Sequence, residues 1–155
     1  MAGEQEYLAR LPFFAGLRED FIVFLGDCAQ RTQIAPNHLL FRHGEDAQHF
    51  YAVLSGTIVV EVPAISGPTL EVQRIGAAHM LGWSWLIPPY KWDFNARAET
   101  DAEALEFDGV RIRERCDSDH EFGYQILLRF SALMSERLHA ARQTMIDQWN
   151  PPGFA

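Results

Sequence analysis

The sequence predicts a mainly β fold, a barrel or jelly roll with helices at both ends, and three observations support it. Residues 1–30 carry two short helical patterns, residues 31–109 carry short strand-like segments with glycine turns, and residues 110–149 are again helical. Helices that flank a run of short strands are typical of a sheet closed on itself. A chain of 155 residues suffices for one core, so residues 1–155 are assigned to a single domain.

The N-terminal helices are predicted from apolar spacing and from helix breakers. Residues 6–17 form a short helix that Pro12 interrupts, and Gly16 marks the turn that follows. Residues 18–28 form a second helix, because acidic residues occupy its first turn and apolar residues recur at helical spacing.

The strands are predicted from residue 32 onward, where β-branched and aromatic residues fill short segments. The predicted strands are residues 38–42, 50–54, 57–62, 70–75 and 97–107, with a loop at 63–68. Residues 83–95 are predicted to be irregular, since Pro88 and Pro89 end any helix that starts after Gly82.

The C-terminal region is predicted to hold a short helix at 110–116 and a long helix at 118–149. Residues 150–153, Asn-Pro-Pro-Gly, end the long helix. One broad apolar face of this helix is expected to cover the open side of the barrel. The members of that face are Ile126, Leu127, Phe130, Leu133 and Met134.

A heptad-like apolar stripe on the long helix predicts a homodimer. A helix of about 30 residues spans roughly 45 Å, which is longer than a barrel of this size covers. Its distal half therefore needs a partner, and the simplest partner is the same helix of a second copy. The predicted contact residues are Leu127, Met134, Leu138, Ala141 and Met145.

Composition excludes several classes of function. The formal net charge of −8 repels phosphate backbones, so direct nucleic-acid binding is not expected. No stretch approaches the roughly 20 apolar residues that cross a bilayer, and the start has no apolar signal region. The prediction is a cytoplasmic protein without a membrane segment, with Cys28 and Cys116 as reduced structural thiols.

No catalytic or metal-binding pattern stands out, so we predict neither an enzyme nor a metal site. The six histidines form no HxH or HExxH pair. Ser84 lies between two tryptophans, without the glycine elbow of a hydrolase serine. Haem binding would need an axial ligand such as His79 or Cys116 and is the weakest alternative.

Three fragments in one order carry a family resemblance: Leu11-Pro12-Phe13-Phe14-Ala15-Gly16-Leu17, then Leu40-Phe41-Arg42-His43-Gly44-Glu45, then His49-Phe50-Tyr51-Ala52-Val53-Leu54-Ser55-Gly56. Together they resemble the cyclic nucleotide-binding domain family, as found in bacterial catabolite-activator-type regulators, kinase regulatory subunits and gated channels. The resemblance implies a β-roll, a cupin-like jelly roll with N-terminal helices and a long C-terminal helix.

In this family the ligand lies in a cassette that begins Gly-Glu and ends Arg-(Ser/Thr)-Ala. The corresponding segment here, residues 82–98, keeps Gly82 but carries Trp83 at the glutamate position and Trp92 at the arginine position. Loss of both polar contacts should weaken cAMP binding by roughly two to four orders of magnitude. The resemblance implies a ligand site formed by Gly82, Trp83, Ser84, Trp85, Trp92, Arg97 and Ala98. The run from Gly82 to Tyr90 is also similar to a subgroup of single-domain bacterial members.

Aromatic residues replace the lost anchors, and two interpretations of them stay open. The rings in question are Trp83, Trp85, Tyr90, Trp92 and Phe94. They either fill the pocket as an extension of the core or line a pocket for a flat or apolar ligand.

The predicted function is a regulatory sensor module that acts in signal transduction without direct DNA binding. About ten residues follow Met145, too few for a helix-turn-helix domain. No cofactor is expected beyond a cyclic nucleotide or another small ligand. The main alternative is a protein-interaction adaptor with an aromatic-filled pocket, and an enzyme or metal protein on a cupin-like barrel ranks third.

Overall fold

The computed structural model describes residues 2–63 and 66–149. The helix stop predicted at residues 150–153 and the middle of the predicted loop, residues 64–65, lie outside the described residues. The helices are α1 (Ala2–Arg10), a 3-10 helix (Pro12–Phe14), α2 (Glu19–Asp27), α3 (Gly109–Ser118) and α4 (His120–Gln148). The strands are β1 (Ala29–Ile34), β2 (Leu39–Phe41), β3 (His49–Ser55), β4 (Ile58–Val62), β5 (Leu70–Ile75), β6 (Met80–Leu81), β7 (Asn95–Ala98) and β8 (Ala102–Asp108).

The strands form two four-stranded antiparallel sheets, in the orders β1-β8-β3-β6 and β2-β7-β4-β5. Side chains from both sheets and from α2, α3 and α4 join one apolar core. The predicted fold class, mainly β with flanking helices, is therefore confirmed.

The single strand predicted at residues 97–107 is wrong. The chain instead forms β7 in one sheet and β8 in the other, with a bend at 99–101 between them. Gly56 makes this crossing compact, because a side chain there would lie 2.3 Å from the carbonyl oxygen of Asp101. Ala98, Ala102 and Ala104 share one parity along this segment, and all three are buried.

The first helix also differs from the prediction, since α1 starts at Ala2 rather than at residue 6 and ends at Arg10. Leu11 is extended, as expected of a residue before proline, and Pro12 opens the separate 3-10 helix. The long C-terminal element starts at His120, because Asp119 leaves the helical conformation and caps α4 through the Phe122 N–H.

Helix α4 lies against the barrel through only part of the face predicted for it. Ile126, Phe130 and Leu133 are buried, and the Phe130 ring packs edge-on against Phe50. Leu127 does not belong to this face: it is 50% exposed, so its assignment to the barrel cover is wrong. The core contacts fix the first half of α4 and leave the second half exposed.

Candidate ligand-binding site

The cassette, residues 82–98, follows β6 as a series of turns and ends in β7. At its start Gly82 has φ +96°, and a Cβ there would lie 2.7 Å from the Trp92 ring. Only glycine tolerates this combination of backbone angle and close approach. Near its end the Trp92 N–H donates to the Glu45 carbonyl at 3.0 Å, and the Trp92 carbonyl accepts from the Gly44 N–H at 2.8 Å. The Gly44-Glu45 turn thus fixes where Trp92 lies.

Trp92 is a buried ring at the end of the barrel. It stacks on Phe41 with ring centroids 3.7 Å apart and an interplanar angle of 9°, and it is 5% exposed. The Trp92 ring therefore fills space that an arginine at this position would leave partly open for a ligand.

Trp85 belongs to the core and not to a ligand surface. It is fully buried, stacks on Phe50 at 4.9 Å and meets Phe130 edge-on at 5.2 Å. Its indole N–H has no hydrogen-bond partner within the part of the chain that the structure describes. Of the predicted aromatic residues, Trp85 therefore extends the core, which is the first of the two interpretations.

A cavity of about 370 Å³ lies between the cassette, the β2-β7-β4-β5 sheet and α4. Four of the predicted site residues line it: Gly82, Trp83, Ser84 and Trp92. The other lining residues are Phe41, Val60, Val72, Gln73, Leu81, Phe94, Met134, Arg137, Leu138 and Ala141. Trp83, Trp92 and Phe94 thus form walls, as the second interpretation requires, and a space remains between them.

The predicted site residues Arg97 and Ala98 do not line this cavity. The Arg97 guanidinium donates to the Glu61 carboxylate at 3.1 Å and to the Asn37 side chain at 3.3 Å. That carboxylate raises the pKa of Arg97. Ala98 is fully buried, and its backbone pairs with His38 and Asn37.

Lys91, the other cation near the cassette end, forms an ion pair with Asp46 on a different part of the surface. Neither Lys91 nor Arg97 lines the cavity, and each already pairs with a carboxylate.

Arg137 on α4 is the charged residue that the sequence interpretation missed. Among the described residues that line the cavity, it is the one ionisable side chain. Its guanidinium donates to the Met80 carbonyl and lies 5.9 Å from the centre of the Trp83 ring. No carboxylate in the described ranges 2–63 and 66–149 forms an ion pair with it, and burial lowers the pKa of Arg137. The heptad stripe points to Met134, Leu138 and Ala141, but nothing in the sequence pattern distinguishes Arg137 from the other arginines of the helix.

Comparison with known proteins identifies the family of this chain. Residues 31–119, more than half of the chain, match the family model described as the cyclic nucleotide-binding domain. The chain belongs to this family. The match includes the whole cassette and the second and third fragments, and it confirms the β-roll and the family resemblance. The first fragment, residues 11–17, precedes the matched region.

The chain is similar to other members of the cyclic nucleotide-binding domain family. It is 23% identical over 142 residues to a CRP-like cAMP-activated global transcriptional regulator of Mycobacterium tuberculosis. That alignment covers 92% of this chain but 62% of the relative, so the chain spans less than two thirds of the length of that regulator.

Solved structures share the fold. A cyclic nucleotide-binding domain from Methylobacillus flagellatus superposes with a TM-score of 0.79 at 12% identity, covering 98% of this chain and 85% of that one. The regulatory subunit of a cAMP-independent protein kinase A from Trypanosoma cruzi, bound to guanosine, has a TM-score of 0.63 at 19% identity and covers 84% and 51%.

The described residues also bear on membrane spans and metal sites. No helix within them has the length and apolar character that a membrane span needs. Within the same residues, no three His, Cys, Asp or Glu side chains are grouped as metal ligands would be.

Proposed function

We propose that this family member is a non-enzymatic regulatory module that senses a small molecule other than cAMP and acts without contacting DNA itself. The observation that carries the proposal is the shared wall of the cavity, which the cassette forms on one side and α4 on the other. A ligand in this space touches both, so its binding changes how α4 packs on the barrel.

The predicted weakness of cAMP binding is supported by the engagement of the nearby cations. Trp92 replaces the arginine of the family cassette and stacks on Phe41. Lys91 and Arg97 are held by Asp46 and Glu61. A cyclic phosphate at the start of the cassette would therefore lack the charge-assisted hydrogen bond that the arginine of the family cassette supplies.

The names of similar proteins agree with a fold that accepts more than one ligand. The Mycobacterium tuberculosis relative is described as cAMP-activated, whereas the Trypanosoma cruzi subunit is described as cAMP-independent and bound to guanosine. A change of ligand within this fold therefore needs no change of architecture.

The homodimer is the route by which α4 would pass the signal on. Along the predicted stripe, Leu127, Leu138 and Met145 are 50%, 63% and 71% exposed in the monomer. An exposed apolar stripe of this kind on a long helix favours pairing with a second helix.

The proposal is tested by a thermal-shift and calorimetric panel of cAMP, cGMP, cyclic di-GMP and guanosine, with hydrogen exchange of α4 as the second readout. A ligand at 100 times its Kd stabilises the folded state by about 2.7 kcal/mol. We expect cAMP to give no binding tighter than about 10 µM, and a genuine ligand to slow exchange in α4. Micromolar or tighter cAMP binding would refute the altered specificity.

The alternative is a protein-interaction adaptor, and the exposed stripe on α4 is the observation that favours it. An adaptor needs no ligand, so it predicts no response to any small molecule. It also predicts that substitutions in the cavity, such as at Ser84, leave partner binding unchanged, whereas substitutions at Met145 abolish it. The sensor predicts an effect from both.

A further inference from the structure

We propose that the cavity binds a hydrophobic monocarboxylate, with its anion on the guanidinium of Arg137 and its apolar body between the cassette and the β2-β7-β4-β5 sheet. This inference rests on the proposed function and specifies the ligand class of the same site.

The walls determine the body of the ligand. Aromatic rings of Phe41, Trp83 and Trp92 and aliphatic side chains such as Val60 and Met134 form most of the surface. The polar side chains among the lining residues are Gln73, Ser84 and Arg137. A volume of about 370 Å³ lies at the small end of the range for ligand pockets. The cavity therefore suits a compact molecule with one polar end.

Arg137 determines the charge of that polar end. Its guanidinium presents several N–H donors in a plane, and the Met80 carbonyl accepts from one end of it. Its position over the Trp83 ring holds the plane at the cavity wall. Burial lowers the pKa of Arg137, and the neighbouring Glu136 offsets this only in part. No carboxylate within residues 2–63 and 66–149 forms an ion pair with the guanidinium. A ligand carboxylate supplies that missing partner and matches the planar fork of the guanidinium.

A nucleotide fits this surface less well than a carboxylate with an apolar body. Its sugar hydroxyls and base edges need hydrogen-bond partners when buried, and the walls offer few. If the cyclic phosphate bound Arg137, the polar sugar next to it would lie against apolar residues of the cavity such as Trp83 and Leu138.

The test is isothermal titration calorimetry with 4-phenylbutyrate and octanoate, each paired with its neutral amide. We expect both acids to bind at least tenfold more tightly than their amides. Arg137→Met should weaken the acids by about 10- to 100-fold and leave the amides unchanged, as expected for loss of a charge-assisted hydrogen bond. Arg142→Met is the matched control, because Arg142 lies on the same helix, is exposed and does not line the cavity.

Two further variants keep the test decisive. Circular dichroism establishes whether Arg137→Met folds. If it does not, Arg137→Lys takes its place. A smaller loss of acid affinity is then expected, because lysine keeps the charge but lacks the planar fork. Ala141→Trp fills the cavity from α4 and should abolish binding of acids and amides alike.

The outcomes separate the ligand class from the site. Equal affinity of acids and amides, or unchanged acid affinity in Arg137→Met, would overturn the carboxylate class while the cavity remains a ligand site. Tight binding of cAMP that depends on Arg137 would overturn it as well and leave a sensor of another specificity. Absence of binding by every acid, amide and nucleotide would overturn both this inference and the proposed function.

Discussion

The double substitution Trp83→Glu with Trp92→Arg should convert the cassette into a cAMP site. It restores a carboxylate for the ribose hydroxyl and a guanidinium for the phosphate. Each charge-assisted hydrogen bond contributes about 1.5–3 kcal/mol. Together they correspond to roughly a hundred- to ten-thousandfold gain in cAMP affinity. The backbone from Gly82 onward, here called the cradle, is expected to receive the phosphate, and both substitutions change side chains only.

The structure also gives the expected cost of this substitution. Trp92 is 5% exposed and stacks face to face on Phe41, so its removal loses buried aromatic area. Truncating a buried aromatic residue to alanine typically costs about 3–5 kcal/mol, and the aliphatic stem of arginine retains part of that contact. The variant should therefore unfold at a lower temperature than the parent and still fold, since domains have about 5–15 kcal/mol of stability.

Calorimetric titration with cAMP measures the gain, and thermal denaturation measures the cost. Phe94→Arg, combined with Trp83→Glu, is the matched control, because Phe94 also lines the cavity but lies two residues from the arginine position. That control should gain little. A double variant at positions 83 and 92 that folds and still ignores cAMP would refute the reasoning, because the cradle itself would then differ from that of the family.

Three other predictions concern the backbone, the helix stripe and the thiols. Gly82→Ala should lower the free energy of unfolding by about 1–3 kcal/mol in a denaturant titration, because Gly82 has a positive φ and lies close to the Trp92 ring. The control Gly76→Ala should be nearly neutral, since the space around Gly76 is open. Met145→Glu should convert the proposed dimer to a monomer in light scattering at micromolar concentration, whereas Ala140→Glu, outside the stripe, should not. Burial raises the pKa of Cys116 to about 11. Its alkylation by iodoacetamide in the folded protein should therefore be slow at pH 8, and the rate should rise only as the pH approaches that value. Rapid alkylation at pH 8 would contradict this.

The regular parts of the fold follow from the sequence because their side-chain periods differ. Strand β5 was predicted at its observed bounds, Leu70–Ile75. The break between β7 and β8 was missed because Thr100 keeps the same parity as the alanines around it, although the chain bends there. The bend depends on the distant contact between Gly56 and Asp101, which no local pattern contains.

The candidate site was predictable only in part, since the cassette has no regular period that fixes the direction of a side chain. Trp83 and Trp85 are two residues apart, yet Trp83 lines the cavity and Trp85 is fully buried against Phe50. On α4 the periodicity identifies the face that Met134 and Leu138 share. It does not show that Arg137 turns toward the barrel, because that depends on the Met80 carbonyl.

The cation that lines the cavity belongs to α4 and not to the cassette, and this affects how the proposed module would signal. The family resemblance implies a cassette cation at position 92, on the barrel side of the ligand rather than on α4. Here Trp92 is neutral and Arg137, which lies on α4, faces the cavity. An anionic ligand would then bind the helix itself, so its binding free energy would act directly on the element that carries the exposed stripe of Leu138 and Met145. A cation on α4 would thus leave a single side chain between an anionic ligand and the helix of the proposed dimer.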